Sequence, residues 1–307
     1  NADIERYSKY SRGNTVSHKA EGLFQYNLRG GLSFEVLDQF LASHDAWGSG
    51  ISQELDKYRS NLANFIVTYD LSDRVKLRVD YANFLVNYTA SRNAFRDRDD
   101  NVISGYVYYK FKPKTALFAE YEFADIEYRN DVLSNSMEHH YYGGLQWDIT
   151  AKTKGSVKAG YGVKDFRNPQ IDTGDYFIME AQMDYAFTPK TSLMLKGARK
   201  TEETNISTTN YIVSNSVELE YLQRLTAKIL GDIRLYYAHD AYKGDLTFFG
   251  ETKERKDRYF SGALAFQYKF REWLEMDAGY VYSLRDSSFS DFDYTNNTVF
   301  LRVIGSL

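Results

Sequence analysis

One pattern recurs seven times along the 307-residue chain: an aromatic residue, a short turn, then a stretch in which apolar and polar residues alternate. It runs from Tyr26 to Phe34, from Tyr69 to Leu77, from Tyr109 to Leu117 and from Trp147 to Gly155. It returns from Tyr185 to Leu193, from Tyr221 to Ile229 and from Tyr268 to Met276. The leading aromatics are 43, 40, 38, 38, 36 and 47 residues apart, a period that also suits propeller blades or helical repeats. Those need four short strands or two helices per unit. Here alternation continues for about ten residues on both sides of each turn, so each unit reads as one hairpin of two long strands.

The alternation assigns faces. Val75, Leu77, Val79 and Tyr81 point one way, and Lys76, Arg78 and Asp80 the other. Leu117, Ala119, Tyr121 and Phe123 oppose Glu120 and Glu122; Met179, Ala181 and Met183 oppose Glu180 and Asp184. Near the end, Met276, Ala278 and Tyr280 oppose Glu275 and Asp277. Soluble strands typically have five or six residues. Stretches of ten match the 9–11 that a tilted strand needs to cross a bilayer.

The connections are of two kinds. One is short and carries Gly-Gly, Ser-Asp or Pro-Lys. The other is longer and polar, at roughly 48–58, 90–100, 130–138, 167–175, 202–210, 241–257 and 286–294. Of the three prolines, Pro113 and Pro189 fall in short turns and Pro169 in a long loop, so none removes a ladder hydrogen bond. The reading that unites these features is all-β: a transmembrane antiparallel up-and-down β-barrel of about 16 strands, with short periplasmic turns and long extracellular loops, in the bacterial outer membrane. A soluble sandwich also alternates, but it has no reason to place an aromatic at one fixed offset before every short turn. Tyr26, Tyr69, Tyr109, Trp147, Tyr185, Tyr221 and Tyr268 are therefore expected to form a girdle at one membrane interface.

Residues 1–307 are read as one barrel domain. Fifteen strands are expected between 16 and 307, and residues 1–15 as the end of an upstream strand plus a loop. Such barrels have an even strand count. The native chain is thus expected to extend before Asn1, giving 16 strands, or 18 if a further hairpin is missing.

The polar face is expected to line the interior, at Lys76, Arg78, Asp80, Glu120, Glu122, Lys158, Glu180, Asp184, Lys196, Glu218, Glu220, Asp232, Arg234, Glu275 and Asp277. Acidic and basic strands tend to alternate, which keeps neighbours in register. With 16 strands the interior is too wide for side chains to fill. Mixed signs oppose strong ion selectivity, which needs one dominant charge at a constriction.

Other chemistry is weakly represented. The chain has no cysteine, so thiol catalysis and thiolate metal sites are excluded. There is no HExxH, GxSxG or phosphate-binding glycine loop, and His139-His140 puts two imidazoles on opposite faces. No catalytic residue, cofactor site or metal site is assigned. A net charge of −4 spread along the chain gives no footprint for nucleic acid. The acidic stretch Arg96–Asn101 reads as a solvated loop, with its arginines competing for the carboxylates.

The segments from Arg98 to Tyr121 and from Gly144 to Tyr161 resemble the putative β-barrel porin 2 family. Its members carry a Tyr-Lys-Phe, Pro-Lys-Thr hairpin followed by a Trp-Asp, Thr-Ala-Lys-Thr hairpin. The likeness covers about residues 60–307 and is strongest over 98–165. These motifs concern turns and girdle, so they specify fold better than cargo. The resemblance implies an outer-membrane channel, with exopolysaccharide export as one reading and periplasmic export machinery as partner. A diffusion porin for small polar solutes and a barrel sheath around a protein such as a cytochrome are the alternatives. Contacts with outer-membrane lipid and lipopolysaccharide are expected under any of them. The chain departs from the usual pattern at Leu307, where many outer-membrane barrels end on an aromatic.

Overall fold

The computed structural model describes residues 2–5, 15–45, 55–150 and 152–305. Almost all of them lie in antiparallel strands. β1 (Ala2–Glu5) is short; β2 (Thr15–Asn27), β3 (Leu32–His44), β4 (Lys57–Asp70) and β5 (Val75–Tyr88) follow. Next come β6 (Arg98–Lys112), β7 (Thr115–Tyr128), β8 (Ser136–Thr150), β9 (Thr153–Phe166) and β10 (Gly174–Thr188). The last six are β11 (Thr191–Glu203), β12 (Tyr211–Arg224), β13 (Ile229–Phe248), β14 (Glu251–Arg271), β15 (Leu274–Ser287) and β16 (Tyr294–Gly305). Fifteen long strands therefore run from Thr15 to Gly305, preceded by the short β1 paired to β2. Among the described residues no helix is long and apolar enough to cross a membrane; the 3-10 turns Ser91–Arg96, Val132–Ser134 and Ser290–Phe292 sit in long connections.

The chain divides into two compact units, 1–143 with 160–177 and 205–207, and 144–159 with 178–204 and 208–307. Within each, strands hydrogen-bond in chain order without a crossover. This is the up-and-down order that hairpins joined by tight turns produce.

The register explains why the repeat reads Tyr-x-Phe before three of the turns. Lys110 pairs with Ala116 and Lys112 with Thr115, leaving Phe111 bulged out of the ladder. Phe187 and Phe270 are skipped in the same way. A bulge gives the strand one extra residue before a two-residue turn. The phenylalanines are exposed, at 45%, 46% and 45%, and two pack edge-on against the preceding tyrosine (Tyr185–Phe187 and Tyr268–Phe270, both with centroids 4.6 Å apart). The aromatic surface beside the turn is thus two rings deep at these two hairpins. The Gly30-Gly31 turn works differently, with φ of 94° and 83°, values open to glycine at no steric cost.

Two sequence expectations need correction. Residues 241–257 are a hairpin of strands and not a polar loop. β13 and β14 run on to a two-residue turn, Phe249-Gly250, where both residues have positive φ (46° and 85°). That is the geometry of a primed hairpin turn. Second, Arg98–Asn101 is the start of β6 and not loop, with Arg98 Nε bonded to Asp100 and Asp99 accepting from Asn83 Nδ2 at 2.7 Å. The expected loop at 48–58 lies mostly outside the described residues.

Candidate functional site

Directly opposed residues in an antiparallel ladder project to the same side, so the register fixes which side chains share a face. In the first unit one row runs Gln25, Glu35, Ile66, Asp80, Ser104, Glu122 across six strands. The row beside it, nearer the short turns, carries Arg78 opposite Tyr106, and Tyr106 opposite Glu120; Lys76 is opposite Asp70 and Tyr108. The other face of the same strands is apolar, with Val67, Val79, Leu77, Val107 and Tyr81.

The charges on the polar face are tied together. Arg78 is bidentate to Asp80 (Nε–Oδ1 2.7 Å) and lies 5.2 Å over the Tyr106 ring, while Lys76 lies 4.5 Å over Tyr108. The two tyrosines stack on each other at 5.9 Å. Ser104 donates to Glu122 at 3.2 Å. An open polar recess on this face is lined by Gln25, Glu35, Ile66, Thr68 and Arg78.

The second unit repeats the scheme. Lys158 pairs with Glu180 at 3.3 Å and Lys196 with Glu218 at 3.9 Å. Arg234 reaches both Glu220 and Asp232 at 2.8 Å. Gln182 donates to Asp184 at 3.1 Å, Glu275 faces Lys269 at 3.9 Å, and Asp277 faces Arg302 at 3.8 Å. Within the first unit the register puts Lys76, Arg78, Asp80, Glu120 and Glu122 on one side of their strands. Within the second it does the same for Glu180, Asp184, Lys196, Glu218, Glu220, Asp232, Arg234, Glu275 and Asp277, together with Lys269 and Arg302, and Lys158 meets this group through Glu180. Most of these pairs are partly exposed and each contributes little stability. What they produce in each unit is a polar surface that carries both signs, its cations each beside an acid or a ring.

Of the seven aromatics expected to form a girdle, Tyr26, Tyr69, Tyr109, Tyr185, Tyr221 and Tyr268 fall on the apolar face of their strands, each within a few residues of a short turn. Tyr26 is opposite Phe34, Tyr69 opposite Leu32 and Leu77, Tyr221 opposite Leu193, and Tyr268 opposite Met276. Trp147 packs where a Cβ on Gly155 would come within 2.5 Å of its ring, which is why that position is glycine.

Sequence reasoning missed two buried clusters at the long-connection end of the polar face. In the first unit, His140 Nδ1 meets Glu122 Oε1 at 2.8 Å, and its Nε2 meets Glu138 Oε2 and the Tyr176 hydroxyl, both at 3.0 Å. Lys164 Nζ donates to Glu138 Oε1 at 2.6 Å, and Lys164 is fully buried. His139 points the other way, its Nδ1 2.9 Å from the Tyr121 hydroxyl, so the two imidazoles do not act together. In the second unit the fully buried Arg255 is bonded twice to Asp257, at 3.0 and 2.6 Å, and is sandwiched between Tyr242 and Phe292 at 4.7 and 4.1 Å. Parity alone had no way to predict these clusters. The first requires Tyr176 of β10 beside β8; the second requires Phe292, on its 3-10 turn, to fold onto Arg255 of the extended β13–β14 hairpin. Outside the strands, Arg167 bridges Asp125 and Glu127 at 2.7 and 2.8 Å, and these carboxylates raise its guanidinium pKa further.

Among the described residues no group of histidine and carboxylate side chains is arranged to hold a metal ion. The long strands in chain order, an aromatic-collared apolar face and a charged opposite face define an outer-membrane β-barrel protein. The chain belongs to the putative beta-barrel porin 2 family, whose model matches residues 3–306. Among solved structures it is similar to the FrpB iron transporter of Neisseria meningitidis. The F5-1 variant matches at TM-score 0.54 and 8% identity, over 92% of this chain and 54% of that one. The F3-3 variant matches at TM-score 0.50 and 7% identity, over the same shares. The alcaligin outer-membrane receptor FauA of Bordetella pertussis matches at TM-score 0.45 and 12% identity, over 94% of this chain and 57% of that one. The chain spans a little over half the length of these structures, and at such identities the likeness concerns fold alone. No curated protein matches the chain.

Proposed function

We propose that this protein forms a water-filled channel through the outer membrane, with the charged face as its wall, and that the channel is an outlet for a secreted polysaccharide. The observation that carries this reading is the pairing of charges along that face. Lys158 with Glu180, Lys196 with Glu218 and Arg234 with Glu220 leave a hydrophilic surface on which each of these cations is paired with an acid. Ion-selective pores concentrate one sign at a constriction; a self-compensated wall suits a hydrated polymer. Membership of a porin family supports the channel, and the family resemblance supports the polysaccharide. The short turns would meet the periplasmic export machinery.

Single-channel conductance in a planar lipid bilayer tests this. The expected result is a steady, weakly selective conductance that neutral polymers of polysaccharide width reduce by entering the pore. A conductance indifferent to such polymers would make the protein a diffusion porin for small solutes. Absence of conductance would overturn the open channel and favour a barrel filled by a protein partner.

A further inference from the structure

The outer face of the second unit carries a polar row that the channel does not use. Arg199 is opposite Asn215, Asn215 opposite His239, His239 opposite Arg258, and Arg258 opposite Asp286, a continuous line across β11 to β15. The residues directly below, on the same face, are apolar and exposed: Val217, Tyr237, Phe260 and Leu284. The row therefore marks the upper edge of the lipid-facing band. Arg258 is ten residues from the girdle Tyr268 along β14. At a rise of ~3.4 Å per residue and a tilt of about 40°, that is about 25 Å along the membrane normal, the height of such a band.

The row is basic where lipid headgroups begin. The Arg258 side chain is 67% exposed and its acidic neighbour Asp286 is 3.8 Å away. Lys256, two residues further out on the same strand and face, is exposed. The next acid on that strand, Glu254, is engaged by Lys243 at 3.6 Å. Arg199, at the other end of the row, donates to Asn215 at 2.6 Å. Strands are ~4.8 Å apart, so Arg199 and Arg258, three strands apart, are about 14 Å from each other. That spacing fits two anions on one headgroup better than a single small ion.

We propose that this row binds the phosphate groups of the phosphorylated glycolipid of the outer leaflet, with the acyl chains against the apolar residues below. Arg258 and Lys256 take one phosphate by charge-assisted hydrogen bonds and Arg199 takes the other. His239, between them, lines the sugar. The site is independent of whether the barrel conducts.

The test titrates the purified protein in detergent with bisphosphorylated lipid A and with its fully dephosphorylated form, reading bound lipid by native mass spectrometry. The wild type is expected to bind the phosphorylated lipid at least about tenfold more tightly than the dephosphorylated one. Arg258→Gln combined with Lys256→Gln is expected to abolish that preference. Arg74→Gln, in a short turn at the other end, should keep it. Heat-modifiable gel mobility establishes that each variant is folded. Equal affinity for the two lipids in the wild type, or an undiminished preference in the double variant, overturns the proposal. Displacement of the lipid by millimolar inorganic phosphate would make this a free-anion site and would equally overturn the lipid assignment.

Discussion

Met194 and Leu195 are neighbours in sequence with opposite surroundings: Met194 lies between Asp184 and Glu220, Leu195 between Met183 and Leu219. One step along β11 changes the environment from acidic to wholly apolar. Met194→Lys places a cation between two carboxylates and is expected to leave stability within about 0.5 kcal/mol of wild type or raise it. Leu195→Lys puts the same charge against lipid and is expected to cost about 2–4 kcal/mol. Urea titrations of the protein in lipid vesicles compare the two. Equal losses would mean that the two positions do not differ in exposure to lipid, and a larger loss at Met194 that the faces are assigned the wrong way round.

Lys164 and Glu138 form an ion pair with side chains 0% and 7% exposed. Removing one partner of such a pair strands the other charge. Lys164→Met is expected to lower stability by about 3–5 kcal/mol, against less than about 1 kcal/mol for the exposed pair partner Lys196→Met. Thermal unfolding of the two variants side by side measures the difference.

A Cβ on Gly160 would come within 1.8 Å of the Tyr141 carbonyl oxygen, whereas one on Gly22 would meet nothing within 4 Å. Gly160→Ala must therefore shift backbone between β8 and β9, and a loss of about 2 kcal/mol or more is expected. Gly22→Ala is expected to be neutral or to stabilise by up to about 1 kcal/mol through the unfolded chain. Folding yield into vesicles should separate them. If both alanines fold equally well, the close approach of β8 and β9 is not what the glycine serves.

Glu218 and Glu220 compensate Lys196 and Arg234 on the proposed channel wall. Replacing both acids with glutamine removes two negative charges, leaving Lys196 without this partner and Arg234 with Asp232 alone, and the reversal potential in a salt gradient is expected to move toward anion selectivity. An unchanged reversal potential, with conductance intact, would place these residues away from the ion path.

Much of this architecture is legible in the sequence because a strand has a period of two. Arg78 and Val79 must face opposite ways whatever surrounds them, and the seven aromatics mark the turns by their fixed offset. What escapes such reading depends on backbone irregularity or on packing between distant segments. Phe111, Phe187 and Phe270 share the parity of Tyr109, Tyr185 and Tyr268, but the bulge that lifts each out of the ladder is not written in that parity. The stretch 241–257 is rich in Lys and Glu, which suggests a solvated loop. It is held as strands by its own hairpin ladder and by Arg255 buried against Tyr242 and Phe292. The His140 network needs Tyr176 from β10, 36 residues away in sequence, and no local pattern announces it.

Residues 245–254 of the β13–β14 hairpin pair with each other, and Phe249 at the tip is 84% exposed. The tip lies on the side of the long connections, which the orientation proposed for the channel puts outside the cell. A peptide epitope spliced between Phe249 and Gly250 would therefore be carried to the cell surface on a stem already held in register. An antibody against it would label intact bacteria, making this hairpin a natural handle for surface display.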